Sequence, residues 1–264
     1  MNEKRNRIKE LDIIRGITLI SMMVYHACWD LGYLFRVNMP WYYGKGAYIW
    51  EQSICWTFIL LSGYCFHLGK QHLKRGLTVF IGGLTVTAVT LIALPEDRIV
   101  FGVLTLLGSS MLFAIPLHCG LMRMLEKTNT EKISEKKRSI GVTGIVISSI
   151  LFVLLRNTNR GTFGFESLSF GKIPSMLYKG YFLTYLGFTD PTFFSTDYFS
   201  VIPWFFLFLV GYFFFFIRKD KKIEKEIHCK PLEFLGRNSL LIYMIHQPVI
   251  YGIFFIVFKV IIHD

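Results

Sequence analysis

Apolar residues in this chain come in long uninterrupted runs, with short polar blocks between them. Seven runs are long enough to cross the roughly 30 Å hydrocarbon core of a bilayer as helices. They cover residues 11–33, 47–69, 74–94, 99–122, 139–156, 200–217 and 238–261. The pattern predicts an all-α fold, a polytopic transmembrane helix bundle of about seven spans. An eighth apolar stretch, "IPSMLYKGYFLTYLGF" at 173–188, is short for a span. Counting it as a crossing would also move the basic block at 218–230 to the outer side. It is therefore expected to be a short interfacial or re-entrant helix inside a long external segment, 157–199.

Composition agrees with the pattern. Apolar residues make up 53% and aromatics 17% of the 264 residues, and the mean hydropathy is +0.45. That is too apolar for an ordinary soluble domain. No Gly/Ser- or Pro-rich linker interrupts the chain, so residues 1–264 are expected to form a single integral-membrane domain. The first run keeps Asp12 and Arg15 inside it and lacks a small-residue cleavage site, which argues for a span and against a removable signal peptide. The five cysteines (Cys28, Cys55, Cys65, Cys119 and Cys229) show no CxxC spacing and no zinc-like pairing with histidines. They read as small buried hydrophobes, and no metal centre is expected.

The net charge of +11 changes the picture through its distribution. The basic residues concentrate in "NEKRNRIKE", "GKQHLKRG", "RMLEKTNTEKISEKKR" and "RKDKKIEKEIHCK", which separate apolar runs and do not build one folded face. This argues against nucleic acid as a partner and for the lipid bilayer. It is the pattern of cytoplasmic loops in a multi-pass protein of the cell membrane, with the N-terminus cytoplasmic and the C-terminus extracytoplasmic. Trp41, Trp50 and Trp204 fall near the predicted outer helix ends, where an aromatic belt would lie.

Against this apolar background, polar groups inside the runs stand out, because a charge at a helix centre costs about 2.5–3.5 kcal/mol on insertion scales. In "MMVYHACWDLGY", His26 and Asp30 are four residues apart and would stack on one helix face. One reading has His26 make a single interhelical hydrogen bond while Asp30 marks the helix end. The other has Asp30 accept from one imidazole nitrogen, which leaves the second nitrogen as a base. Asp12 and Arg15 are spaced to pair at the cytoplasmic end of the same run. The last run opens with Arg237 and Asn238, the latter a candidate helix cap. It carries His246 and Gln247 just ahead of Pro248, where either a structural contact to a carbonyl or a functional role fits His246. Ser62 and Gly63 in the second run allow close helix approach. Arg15, Lys70, Lys74, Arg75 and Arg237, at inner helix ends, could surround an anionic ligand or contact lipid headgroups. Glu51, Asp190 and Asp197 are outer acidic groups available to an acceptor. His67 and His72 read as interfacial and His118 as part of a helix interior, so none of the three is assigned to a site.

The segments "LDIIRGITLISMMVYH", "FILLSGYCF", "FGVLTLLGSSMLFAIPL", "DYFSVIPWFFLFLVG" and "LGRNSLLIYMIHQPV" resemble, in order, the heparan-alpha-glucosaminide N-acetyltransferase catalytic-domain family. The resemblance is weakest over 123–180. It implies an acetyltransferase that takes acetyl-coenzyme A as co-substrate from the cytoplasmic side and acetylates the hydroxyl or amine of a sugar or glycan on the other side. In the family's characterised enzyme the proposed catalytic histidine lies in the outer loop after the first span, whereas residues 31–46 here contain no histidine. The catalytic role therefore falls to His26 on physical grounds. The expected catalytic set is His26, Asp30 and His246, with His246 or Asn238 helping at the oxyanion or along the acyl path. The expected coenzyme-binding set is Arg15, Lys70, Lys74, Arg75, Arg237 and Asn238. Asp12, Glu51, Ser62, Gly63, Asp197 and Gln247 support it. The competing class is a proton-coupled transporter or permease in which His26, Asp30 and His246 relay protons. No internal repeat is visible, which counts against that class. The oligomeric state, a homo-oligomer included, is open at this level.

Overall fold

The computed structural model of the protein describes residues 8–218 and 228–261. The described residues are mostly helical, with one two-stranded hairpin, and each of the seven expected runs contains a helix. These are α1 (Lys9–Trp29), α2 (Lys45–Phe66), α3 (His72–Ala93), α4 (Val103–Glu126), α5 (Ile133–Leu155), α7 (Val201–Ile217) and α9 (Ser239–Phe255). Two short helices, α6 (Tyr181–Leu186) and α8 (Lys230–Arg237), complete the set. Among the described residues five helices, rather than the expected seven, are long and apolar enough to cross a membrane: α1, α3, α4, α5 and α9, three of them with extensions. α2 falls short because Glu51, Gln52 and its polar-edged aromatics dilute its apolar character. α7 falls short because it has only 17 residues.

The stretch at 173–188 is not one helix. A 3-10 turn at Ser175–Leu177 is followed by the six residues of α6, a rod of about 9 Å at 1.5 Å per residue. Pro174 precedes the turn, and Gly180 and Gly187, with φ of 80° and 135°, bracket α6 and end it on both sides. An antiparallel hairpin of β1 (Thr162–Phe165) and β2 (Leu168–Lys172) lies just before it. The hydropathy pattern did not predict that hairpin.

The chain divides into two compact units. One comprises residues 1–58 and 221–264, the other residues 59–220, with the boundary inside α2. In the first unit, Leu19, Met22 and Ile54 form a core under Tyr25, Trp50, Leu235, Ile242 and Tyr243. α8 lies directly on α1. A Cβ on Gly16 would sit 2.3 Å from the Leu232 carbonyl oxygen, and one on Gly236 would sit 1.9 Å from that of Asp12. The last expected run, 238–261, holds α9, and α8 precedes it and ends at Asn238. The Asn238 side-chain amide donates to the Phe234 carbonyl at 2.9 Å and so closes α8. The expectation that it caps the following helix is corrected: α9 has no side-chain cap.

In the second unit, α3 packs on α4 and α5 on α7. The end of α2 crosses α7 through a pair of small residues. A Cβ on Gly63 would lie 2.0 Å from the Phe208 carbonyl oxygen, and one on Gly211 would lie 2.1 Å from that of Leu60. This is the close helix approach expected of Ser62–Gly63. Phe66, Leu106, Phe208 and Tyr212 are fully buried beside it. Ile81, Ile92, Val146 and Ile150 are exposed on the outer faces of α3 and α5, where a bilayer needs apolar side chains.

Candidate active site

α1 and α9 pack together in the first unit and bring four polar side chains to one place. α1 supplies His26. Its continuation, a π-turn at Asp30–Leu34 closed by the Phe35 amide on the Asp30 carbonyl at 3.0 Å, supplies Asp30. π-turns inside long helices recur at functional sites, where they re-aim side chains. α9 supplies His246 and Gln247 immediately before Pro248, which has no N–H for the helix ladder. The His26 and His246 rings lie 4.9 Å apart between centroids, tilted by 54°.

The hydrogen bonds assign roles that α1 alone could not. Asp30, fully buried, accepts from the Gln247 side-chain amide at 2.6 Å. Among the described residues His26 has no hydrogen bond to Asp30, although the two are one turn apart. The carboxylate's partner comes from 217 positions further along the chain. His246 Nδ1 lies 2.5 Å from the Tyr243 carbonyl oxygen. A carbonyl only accepts, so Nδ1 carries the proton and Nε2 of the neutral ring carries the lone pair. That Nε2, Asp30 Oδ2 and Gln247 Oε1 are all buried and without a hydrogen-bond partner among the described residues. Leaving a buried polar group unsatisfied costs about 1–3 kcal/mol. Three such acceptors on adjoining side chains mark a place kept for a ligand or a reaction.

A polar and aromatic cluster adjoins this group. The Tyr25 hydroxyl donates to Glu51 at 3.3 Å, the Tyr42 hydroxyl donates to the Tyr25 carbonyl at 3.2 Å, and Trp50 Nε1 donates to Ser21 at 2.8 Å. The Tyr25 ring packs edge-on against both His26 and Trp50. Glu51 is thus tied to the residue next to His26. Fourteen residues back along α1, Asp12 is 2% exposed and lies 3.6 Å from Arg15 and 3.9 Å from Arg237. Glu233 holds Arg237 at 3.0 Å and His228 at 3.6 Å. The two guanidinium charges are balanced here by two buried carboxylates. The pairing of Asp12 with Arg15 was readable from sequence; Glu233, four residues before Arg237, was the missed signal.

The remaining expected residues belong to the second unit. Arg75 donates to the Cys65 carbonyl through both terminal nitrogens at 3.4 Å, while Lys70 and Lys74 are exposed. Ser62 is buried in the α2–α7 crossing. Asp197 accepts from the Val103 amide at 3.4 Å, at the start of α4. Asp190 accepts from the Gly180 and Thr192 amides and the Thr192 hydroxyl, which hold its carboxyl below the ordinary carboxylate range. Both aspartates therefore organise local backbone. Sequence reasoning also passed over a histidine group. His67, His72 and His118 meet with centroids 4.9–5.2 Å apart, and buried Tyr212 bonds His118 through its hydroxyl and His67 through its carbonyl. Each looked interfacial or structural alone, and only the chain reversal between α2 and α4 brings them together.

The family model described as heparan-alpha-glucosaminide N-acetyltransferase, catalytic, matches residues 7–248. No curated protein and no solved structure shows significant similarity to the chain.

Proposed function

The chain belongs to the heparan-alpha-glucosaminide N-acetyltransferase catalytic family, and from that premise we propose that it moves an acetyl group from cytoplasmic acetyl-coenzyme A to a sugar or glycan hydroxyl or amine on the outer side of the cell membrane. The observation that carries the chemistry is half-buried His26 packed on buried His246, whose Nε2 is unpartnered among the described residues and whose tautomer is set by a backbone carbonyl.

His246 Nε2 takes the proton of the acceptor hydroxyl or amine as that atom attacks the thioester carbonyl carbon. The neutral His26 ring, 4.9 Å away, donates its N–H to the carbonyl oxygen as negative charge builds there. The C–S bond then breaks, and the proton on His246 passes to the departing sulfur, which regenerates the neutral ring. Asp30 and Gln247 hold each other and fix α9 against the end of α1, so they position the histidine without exchanging protons with it. Asn238 takes no part at the oxyanion: it precedes His246 by eight residues, about 12 Å along a helix, and its amide is spent on Phe234. At the other end of α1, Arg15 and Arg237 keep 23% and 48% of their side chains exposed beside Asp12. They offer their remaining N–H groups to the coenzyme's phosphates.

The test mixes purified full-length protein with acetyl-labelled coenzyme A and a panel of amino sugars and glycans. Label on a sugar, dependent on the protein, is the expected result. Free acetate alone, or no turnover with any sugar, contradicts the proposal. Proton-coupled flux of a solute in sealed vesicles without an acetyl donor would favour the permease reading instead.

A further inference from the structure

The segment joining α5 to α7 carries large exposed apolar side chains on an ordered frame. Leu168, Phe170, Met176, Tyr181 and Phe182 are 61–74% exposed, yet the backbone beneath them is tied down. Buried Asn157 donates to the Glu166 and Leu168 carbonyls at 3.0 and 3.1 Å, and Arg156 pairs with Glu166 at 3.3 Å. The Tyr178 hydroxyl donates to the Thr158 carbonyl at 2.6 Å. β2 is exposed along its whole length, and a register shift in its pairing leaves Phe170 without a partner on β1. Against this frame opens a cavity of about 620 Å³, lined among others by Asn159, Arg160, Met176, Tyr178 and Lys179.

Its height relative to a bilayer follows from α5. The candidate span runs from Ile133 to Arg160, and its α-helix, Ile133–Leu155, has 23 residues, about 35 Å at 1.5 Å per residue. The hydrocarbon core is about 30 Å thick, so a span this long carries its ends into the headgroup layer. Asn159 and Arg160, in the cavity wall, are at that end.

The charges there are in positive excess. Glu166 is shared by Arg156 and Arg160. The Asp190 carboxylate is occupied by the Gly180 amide and by the amide and hydroxyl of Thr192. Lys172 and Lys179 have no acidic partner among the described residues. Lys172 is followed by Ile173, whose amide bonds the carbonyl of Gly161 in the cavity wall. Cations in a cavity at headgroup height, with Met176 on its rim and exposed aromatics beside it, suit a molecule with a phosphate at one end and hydrocarbon at the other.

We propose that this cavity binds the headgroup of an anionic glycerophospholipid. The phosphate lies between Arg160 and Lys179, Lys172 is a third cation nearby, and the acyl chains run along Met176, Leu168 and Phe170. This goes beyond the acetyl-transfer proposal and does not depend on it.

Native mass spectrometry of the full-length protein in neutral detergent tests it, with phosphatidylglycerol, phosphatidylcholine and glycerol phosphate as probes. One retained phosphatidylglycerol per chain is expected, at least about tenfold preferred over phosphatidylcholine. K172A/K179A lowers that affinity about 30-fold, since each lysine near a charged surface contributes about fivefold. F170S/M176S weakens phosphatidylglycerol but leaves glycerol phosphate unchanged. Glycerol phosphate binding as tightly as the lipid would make this a site for a soluble phosphate compound and overturn the proposal. So would wild-type lipid affinity in K172A/K179A.

Discussion

His246→Ala is expected to lower acetyl transfer by about 10²–10⁴-fold, the range for removing a positioned general base, while the protein still inserts and melts near the wild-type temperature. The ring is buried and its Nδ1 is spent on Tyr243, so the loss falls on Nε2, the one nitrogen with nothing to bond. His26→Ala is expected to cost about as much by removing the donor facing the developing oxyanion, for which single donors supply about 10²–10³. The double variant should be little worse than either single one, because the two rings serve one transition state. Single-turnover transfer from labelled acetyl-coenzyme A measures all three. Full activity in His246→Ala would remove the base from the account. A variant that also fails to melt cooperatively would show that the ring mainly packs the helices.

The largest structural effect is expected at the α1–α8 contact. Gly16→Ala and Gly236→Ala each place a methyl group within 2.3 Å of a carbonyl oxygen of the opposite backbone. Neither helix can yield as a flexible side chain would, so the cost reaches or exceeds the usual overpacking range of about 1–3 kcal/mol. The expected readout is a clear drop in melting temperature or a loss of recoverable protein from the membrane. Gly252→Ala is the control: nothing lies within 4 Å of a Cβ there. Replacing a helical glycine with alanine at such a site should stabilise by about 1 kcal/mol or less. Equal behaviour of the three variants would mean that α1 and α8 do not pack this closely.

The same contact explains why some features were legible in the sequence and others were not. Long apolar runs announce helices, because a backbone in lipid must satisfy its own hydrogen bonds, and every such run from 11–33 to 238–261 contains one. The hairpin at 162–172 escaped because four- and five-residue strands with glycines leave almost no periodic signal. The run at 173–188 was overread as one helix because its apolar content outweighed Pro174, Gly180 and Gly187. Single polar residues in lipid-length runs pointed to His26, Asp30, His246 and Gln247. Which of them bond was invisible, since the Asp30 partner comes from the far end of the chain. The segments around Arg15 and around Arg237–Asn238 were expected to hold the coenzyme. In the fold they are largely the two halves of one interlock, with Gly16 and Gly236 at its closest points and Asp12 between two arginines.

Sidedness tests the central claim most directly. Acetyl-labelled coenzyme A is sealed with the cytoplasmic face of the protein in proteoliposomes, and the acceptor sugar is supplied only outside. The account predicts labelled sugar in the outer medium, with the vesicles intact and the coenzyme retained inside. Transfer only when donor and acceptor share one compartment would contradict it.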